Sequence, residues 1–262
     1  MSKELISYKK YLRSLNLQPS TIKNYLWHLE KFLLWLSKEK LSEKKLKEYL
    51  LYLLNHYRES SSINLRLIIL NNYLAFLGKR FRFDLLSQEN KILKIIKKDQ
   101  LEKFLDAPLT NKSLIGLRDK ALLELLYNSG LKVGELIKIK QTQIDPIKKE
   151  IIFGPRNTLT IKPATWFYLT KYLDKKTKKI DWLFINFDRS QKSEERQLSV
   201  RSVERIITKY AKITNPALII NPQILRNTLA WQLKQEGANS YELKKSLHFQ
   251  TIVGAKNYLQ KI

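Results

Sequence analysis

The sequence contains no cysteine. This absence excludes disulfide bonds, zinc sites built on thiolates and any mechanism with a cysteine nucleophile. Long apolar runs are also missing, because clusters such as Leu33–Leu36 and Leu67–Leu70 are much shorter than a membrane span. The amino-terminal segment Met1–Glu4 has no apolar signal core. We therefore predict a soluble, cytoplasmic protein with no membrane partner.

Acidic residues are scarce relative to basic ones. The chain has 49 Lys and Arg against 24 Asp and Glu, a formal net charge of +25. Residues 1–97 hold 19 basic and 8 acidic side chains and residues 98–262 hold 30 and 16, so both halves are basic. A genome rich in A/T, which favours lysine, would explain part of this excess. Two basic halves are typical of two domains that grip one polyanion, so we predict a nucleic-acid partner.

The amino-terminal third is predicted to be a small helical domain. Residues 4–81 show the apolar spacing of four amphipathic helices. Pro19 opens the second helix, with Ser20 as its N-cap. We expect the aromatic rings of this helix to lie in the core rather than to stack on bases. These rings are Trp27, Phe32 and Trp35.

The boundaries that we predict are a helical domain of residues 1–82, a linker of residues 83–98 and a mixed α+β domain of residues 99–262. In the second domain, the β-branched runs Glu150–Phe153 and Thr158–Ile161 predict a hairpin. The other elements expected there are helices over Lys98–Leu105, Pro163–Leu173 and Ser199–Ile213, a strand over Asp181–Phe187 and a polar loop over Asp188–Gln197.

Two stretches of the second domain carry the most informative spacing. The first, Leu117–Leu136, is an apolar helix that stops at Gly130 and is followed by Lys132. The second begins at Asn221 with a proline at the first helical position. Three of its residues lie off the apolar stripe near the amino end, where backbone N–H groups and the helix dipole favour an anion: Gln223, Arg226 and Asn227.

Both stretches resemble the tyrosine recombinase family, which includes the phage integrases and the Xer proteins. The family pattern Arg-Asp-x-Ala-Leu-Leu-x-Leu-Leu-Tyr-x-x-Gly-Leu-Arg-x-x-Glu-Leu matches residues 118–136 at every framework position, with Lys132 in place of the catalytic Arg. In the later pattern, a His, two residues and an Arg are followed by a His-Thr pair, and Gln223 and Arg226 fall on that first His and Arg. Phe249 replaces the His or Trp of the Leu-Gly-His turn, and Tyr258 falls on the nucleophile.

The resemblance implies that the protein binds double-stranded DNA and exchanges strands through a 3′-phosphotyrosyl link to Tyr258, with neither a metal nor a cofactor. Arg226 and Lys132 would stabilise the phosphate, although an ammonium lacks the planar fork of a guanidinium. Gln223 donates a hydrogen bond but cannot shuttle a proton. We expect Phe249 to buttress Tyr258 by packing.

The general acid of the family is a lysine in the hairpin, and two residues compete for that role here. Arg156 is the basic residue of the shortened turn, and Lys162 would reach in from the second strand. The sequence leaves both open. His248 stands one residue before the expected imidazole position, and we predict it to be a surface residue.

The basic stripe Arg201, Arg205 and Lys209 has two equal interpretations, as a phosphate-binding face or as a solvated face. We count these three residues, together with Lys23, Arg226 and Lys132, as predicted DNA contacts. The Leu17–Leu36 stretch also resembles the family's core-binding domain.

The predicted fold is therefore mainly α with a small β-hairpin or sheet, arranged as a two-domain clamp on DNA. Two functions fit it: an active recombinase or integrase, or an inactive relative that binds or bends DNA beside an active partner. We predict that the protein assembles on DNA with a second copy of itself or with a related recombinase, and that it is located at the nucleoid. A third reading, an all-helical RNA-binding or scaffold protein, predicts no hairpin near residues 150–161.

Overall fold

The computed structural model describes residues 3–37, 39–88, 92–154, 157–176, 180–187 and 197–262. The chain divides into two compact units, residues 1–90 and 91–262. The described residues are mainly helical and include a small three-stranded antiparallel sheet, which confirms the predicted fold class. In the described ranges, no helix combines the length and the apolar character needed to cross a bilayer.

The first unit contains the four helices that the apolar spacing predicts. They are α1 (Lys3–Ser14), α2 (Pro19–Leu36), α3 (Glu43–His56) and α4 (Ser60–Phe76). The N-cap of α2 is Gln18 rather than Ser20, because the helix already begins at Pro19, whose fixed φ suits the first helical position. Ser42 caps α3, since its hydroxyl accepts a hydrogen bond from the Lys45 N–H.

Aromatic rings fill the core of the first unit. Phe32 is buried and the half-buried Trp35 packs against it, as expected. Trp27, however, is 51% exposed, so the prediction that it lies in the core was wrong. It precedes the buried Leu29 by two positions, and a two-residue step turns a side chain about 200° around a helix. Trp27 therefore points away from the packed face of α2.

The second unit begins with residues 92–97, which have no regular secondary structure. Its helices are α5 (Lys98–Asp106), α6 (Leu114–Ser129), α7 (Val133–Leu136), α8 (Pro163–Lys175), α9 (Val200–Thr214), α10 (Pro222–Gln235), α11 (Ser240–Ser246) and α12 (Ile252–Leu259). Its strands are β1 (Ile144–Asp145), β2 (Glu150–Gly154) and β3 (Asn157–Thr160). Short 3₁₀ turns span Ala107–Thr110 and Gln141–Gln143.

The sheet of the second unit confirms the predicted hairpin and contradicts the all-helical reading. β2 pairs with both neighbours, so that Ile151 lies opposite Ile144 on one side and Leu159 on the other. The strand predicted over Asp181–Phe187 was wrong. Among the described residues, that region forms isolated bridges, between Trp182 and Lys140 and between Ile185 and Gln197, and no run of consecutive pairs. Residues 188–196 of the predicted polar loop lie outside the described residues.

Helix α6 runs through the core of the second unit and buries charged as well as apolar side chains. Arg118 forms an ion pair with Asp119, whose other oxygen accepts from the Tyr210 hydroxyl. The Lys120 ammonium lies between the carboxylates of Asp106 and Glu124. Because each buried charge has a partner, this helix tolerates an interior position that unpaired charges would make unstable.

Candidate active site

Helix α10 supplies the buried side of the site. The Asn221 side chain caps the helix by accepting from the Ile224 N–H at 2.9 Å, and Pro222 occupies its first turn. Every side chain from Ile224 to Ala230 is buried, so α10 lies inside the unit rather than on its surface. Arg226 and Asn227 retain only 6% and 3% of their exposure, although they lie off the apolar stripe. Polar groups at this depth need partners.

Arg226 finds its partners in two helix ends. Its guanidinium donates hydrogen bonds to the carbonyl oxygens of Gly130, which ends α6, and Leu247, which ends α11. Two of the five N–H donors are used in this way, which leaves the others for an anion. Burial lowers the pKa of Arg226, and the neighbouring Tyr258 and Glu135 oppose that effect. The guanidinium stays charged near neutral pH.

Gly130 allows this arrangement because it has no side chain. Its φ of 62° is left-handed, a conformation that glycine adopts without penalty at a helix end. A Cβ atom at this position would lie 2.6 Å from the Ser246 carbonyl oxygen and 2.7 Å from a Leu247 methyl carbon. The glycine that the sequence identifies as a helix terminator thus also lets the ends of α6 and α11 approach each other.

Tyr258 lies on α12, whose start is capped by the Thr251 hydroxyl. The Tyr258 hydroxyl donates to Asn227 Oδ1, and Gln223 Nε2 donates to the Tyr258 oxygen at 2.8 Å. The same Gln223 nitrogen lies 2.9 Å from Asn227 Oδ1, which closes a ring of hydrogen bonds. The pKa of Tyr258 is raised, because the effect of burial exceeds the opposing effects of Arg226 and of the Gln223 hydrogen bond. The phenol is therefore neutral near pH 7.

Phe249 lies between the cation and the phenol. The Arg226 Cζ atom is 5.1 Å from the centre of the Phe249 ring, and the ring centres of Phe249 and Tyr258 are 5.2 Å apart. Four predicted site residues thus converge in the second unit: Arg226, Tyr258, Gln223 and Phe249.

Lys132 approaches the same region through its backbone. It precedes α7, where its N–H donates to the Glu135 carboxylate at 2.8 Å. It follows Gly130, whose carbonyl Arg226 binds, by two residues. Its side chain is exposed to solvent, unlike that of Arg226.

The two candidates for the general acid of the hairpin differ in what the structure describes. Arg156 lies outside the described residues. Lys162 is exposed at the start of α8 and lines a small cleft together with Ser129, the last residue of α6. The Phe153 ring of β2 meets His248 edge-on at 6.3 Å, so the described part of the hairpin also reaches the turn before Phe249.

His248 is not the surface residue that we expected. It is half-buried, and its Nε2 atom lies 3.1 Å from the Ser129 carbonyl oxygen. Its φ of 54° is left-handed. His248 thus occupies the glycine position of the family's Leu-Gly-His turn, with the backbone shape that glycine favours, rather than being a displaced imidazole.

Asn227 also belongs to the site; the sequence places it off the apolar stripe beside Arg226 but assigns it no role in the reaction. It accepts the Tyr258 hydroxyl and donates through Nδ2 to the Lys94 carbonyl oxygen at 3.0 Å. The signal was present, because Asn227 follows Arg226 directly and so stands at the first position of the family's His-Thr pair. Both histidines of that pattern are therefore replaced by amides in this chain.

The remaining predicted DNA contacts lie on α9 of the second unit and on α2 of the first unit. Arg201, Arg205 and Lys209 are exposed along α9 and line one shallow depression. Lys23 is exposed on α2 of the first unit, in a groove that Lys9, Arg13 and Trp27 also line. Within the described ranges, no group of three or more acidic or histidine side chains is placed to hold a metal ion.

Comparisons with known proteins give two family matches. The phage integrase family matches residues 94–261, and the N-terminal SAM-like domain of phage integrases matches residues 5–80. A tyrosine recombinase XerC of Thermodesulfovibrio yellowstonii is 36% identical over 160 residues, which cover 56% of this chain and 50% of that protein. The XerC of Staphylococcus saprophyticus is 25% identical over 240 residues, 84% of this chain and 79% of that one.

Solved structures extend the likeness to the fold. The XerH site-specific recombinase bound to a palindromic difH substrate, in a post-cleavage complex, has a TM-score of 0.74 and 17% identity. The match covers 98% of this chain and 80% of that one.

Proposed function

Because this chain belongs to the phage integrase family of tyrosine recombinases, we propose that it binds duplex DNA and cleaves one strand through Tyr258. The phenol releases its proton to solvent and its oxygen attacks a phosphodiester, so that a bond from phosphorus to the Tyr258 oxygen forms while the bond to the 5′ oxygen breaks. The departing 5′ oxygen takes a proton from the general acid, Lys162 or Arg156. The products are a 3′-phosphotyrosyl link and a free 5′-hydroxyl. Attack by the 5′-hydroxyl of a second strand reverses the step, so the exchange uses no external energy source.

One observation carries this proposal: the Arg226 guanidinium and the Tyr258 phenol both contact the Phe249 ring, at 5.1 and 5.2 Å. A nucleophile and an anion-binding group are thus held on one rigid support. Hydrogen-bond donors fixed before the reaction stabilise the extra negative charge of the transition state without reorganisation. In this proposal Arg226 holds a non-bridging phosphate oxygen, and Lys132 adds a positive charge from the exposed turn after Gly130.

The proposed reaction is slow. Both side chains that bond the Tyr258 hydroxyl, Gln223 and Asn227, are amides, which neither take nor give a proton near neutral pH. A missing general acid or base lowers a rate by roughly 10²–10⁴. A missing oriented donor, as at Lys132, lowers it by about 10²–10³.

A covalent-trapping assay tests the proposal. A nicked duplex loses a short fragment after cleavage, so the protein–DNA link cannot reverse and accumulates as a slow-migrating band under denaturing conditions. We expect the band with the natural chain and its complete loss in Tyr258→Phe, which should still bind the duplex. A tightly bound site that gives no Tyr258-dependent band would overturn strand cleavage.

The same amide contacts favour a second candidate function. With no imidazole bonded to Tyr258, the protein would act as a DNA-binding or architectural partner of an active recombinase. This candidate predicts tight binding without a covalent band, together with a band when an active family member is added. Mixing the Tyr258→Phe chain with that active member identifies which subunit forms the bond.

The choice between Lys162 and Arg156 as general acid has its own test. A substrate with sulfur at the bridging 5′ position releases a thiolate, which leaves without a proton. We expect Lys162→Met to slow cleavage of ordinary DNA by roughly 10²–10³ and to leave cleavage of the sulfur substrate near the natural rate. Arg156→Met is the matched variant, and rescue of that variant alone would give the role to Arg156.

The exposed cations of both units supply the DNA-binding part of the proposal. Arg201, Arg205 and Lys209 of α9, and Lys23 of α2, would contact phosphates, with Arg226 and Lys132 at the cleaved one. Assembly with a second copy or a related recombinase on the DNA, and a location at the nucleoid, follow from the same proposal. Sedimentation with and without duplex DNA measures the assembly.

A further inference from the structure

The Asn227 side chain has two different partners on its two amide atoms. Its Nδ2 donates to the Lys94 carbonyl oxygen at 3.0 Å, and its Oδ1 accepts from the Tyr258 hydroxyl and from Gln223 Nε2. Only 3% of the residue is exposed, so these contacts are not exchanged for water. Asn227 therefore joins the segment before α5 to the residue proposed as nucleophile.

The Lys94 carbonyl fixes which way the amide points. A carbonyl oxygen only accepts, so the Asn227 nitrogen must face Lys94 and the Asn227 oxygen must face Tyr258. The opposite orientation would place two oxygens together at Lys94 and leave the buried amide unsatisfied. Because Asn227 Oδ1 only accepts, the Tyr258 hydroxyl must donate its proton to it.

A second contact holds the same segment to α10. The Ile96 N–H donates to the Thr228 hydroxyl at 3.0 Å, and the Ile96 side chain is buried in the core. The Thr228 hydroxyl in turn donates to the Ile224 carbonyl at 2.8 Å. Two neighbouring residues of α10, Asn227 and Thr228, thus hold the segment that contains Lys94 in place.

We propose that Asn227 is a positioning residue that holds Tyr258 in a protonated, hydrogen-bond-donating state, with its amide oriented by the backbone at Lys94. The inference rests on the proposed function only for the role of Tyr258 as nucleophile. Asn227 accepts a hydrogen bond but cannot remove the proton, so attack requires that this bond break. Gln223 has the opposite effect, because its N–H donates to the phenol oxygen and stabilises the phenolate.

The charged groups around Tyr258 do not account for these two opposed effects of Asn227 and Gln223 on the Tyr258 pKa. Arg226 faces the phenol across Phe249, and Glu135 acts on Arg226 from the start of α7. The His248 ring is turned to the Ser129 carbonyl and the Phe153 ring. The two amides are the uncharged groups bonded to the hydroxyl, and they act in opposite directions.

The test measures the ionisation of Tyr258 in the full chain without DNA. Tyrosine labelled with ¹³C at Cζ is titrated by NMR, and Tyr258→Phe identifies the Tyr258 signal among the 13 tyrosines. We expect Asn227→Leu to lower the Tyr258 pKa by about 1 and Gln223→Leu to raise it by about 1, since each removes one hydrogen bond of opposite sense. Gln232→Leu is the control on the same helix, because its amide bonds Tyr127 and Glu236 rather than Tyr258, and we expect no change in the Tyr258 pKa.

A Tyr258 pKa shift of the opposite sign would overturn the proposal. A Tyr258 pKa that rises or stays constant in Asn227→Leu means that the amide does not accept the phenol proton, and the inference fails. If Asn227→Leu lacks the dispersed spectrum of the folded chain, Asn227→Asp asks the same question. Its carboxylate still accepts from Tyr258 and should raise the pKa, so an unchanged value would overturn the inference.

This readout is independent of strand cleavage. A chain that forms no covalent band but shows the opposed shifts retains the inference and loses the proposed activity. A chain that forms the band without the shifts keeps the activity and loses the role of Asn227.

Discussion

The buried face of α10 and the exposed turn after Gly130 supply the two cations of the proposed site in opposite ways. Arg226 lies inside the second unit and bonds two helix ends. Lys132 lies on the turn, and its ammonium extends into solvent. In our predicted assignment, the family's arginine is retained at Arg226, which also bonds two helix ends, and is replaced at Lys132, which is exposed. This contrast separates a cation that is part of the architecture from one that serves only chemistry.

Among the variants that test this contrast, Arg226→Lys is expected to have the largest effect. An ammonium cannot reach the Gly130 and Leu247 carbonyls together, so one buried acceptor loses its partner. We expect the free energy of unfolding to fall by about 2 kcal/mol, and the rate of covalent trapping to fall by roughly 10²–10³. Denaturant unfolding and trapping kinetics measure the two effects. Unchanged stability would show that Arg226 does not hold the helix ends.

Gly130→Ala tests the architecture without touching a charge. The added Cβ meets the Ser246 carbonyl oxygen at 2.6 Å and must adopt a left-handed φ of 62°. We expect a loss of about 2–3 kcal/mol in the free energy of unfolding. Gly237→Ala provides the matched control, because its φ is also positive but nothing lies within 4 Å of its Cβ position. Equal losses in the two variants would mean that backbone conformation alone, and not the contact with α11, decides.

Lys132→Arg probes the chemical side of the contrast. A guanidinium on the exposed turn restores the planar donor fork without entering the core. We expect covalent trapping to become about tenfold faster, while stability changes by less than about 0.5 kcal/mol. Lys138→Arg, on an exposed position six residues further along, controls for the general effect of arginine. An unchanged rate would remove Lys132 from the site, and a slower rate would contradict the expected advantage of the planar fork.

The smallest expected effect concerns the exposed stripe on α9. Lys209→Gln should weaken binding to all duplex sequences and reduce the slope of log affinity against log salt by about 1. Lys175→Gln, an exposed lysine on α8, is the comparison. Fluorescence anisotropy at several salt concentrations measures both slopes. Identical slopes for both variants would favour the solvated-face reading of the stripe.

The sequence predicted most of the fold because its elements have strong local signals. Pro19 and Asn221 mark helix starts, and Gly130 marks a helix end, so the corresponding elements lie within a few residues of their expected places. The strand over Asp181–Phe187 failed because strand formation depends on a partner that apolar alternation does not reveal. Trp27 failed because one aromatic residue on a helix does not report which face packs.

Prediction of the site from sequence stopped where contacts are long-range. Tyr258, Arg226, Gln223 and Phe249 were found because their spacing matches the family pattern. Asn227 was placed beside them but given no role, since its role depends on Lys94 and Tyr258, which are remote from it along the chain. His248 was read as displaced because the letters alone do not show that its backbone has a left-handed φ.

The turn at His248 leaves the motif of the family within two substitutions of this chain. His248→Gly would place the residue with the least conformational penalty on a backbone that already has φ 54°. Phe249→His would then put an imidazole beside Tyr258, in the space that the phenyl ring now fills. The backbone of this turn therefore already has the left-handed shape that a glycine at position 248 would adopt. Both substitutions can therefore be introduced on the present backbone path, without rebuilding the scaffold around Tyr258.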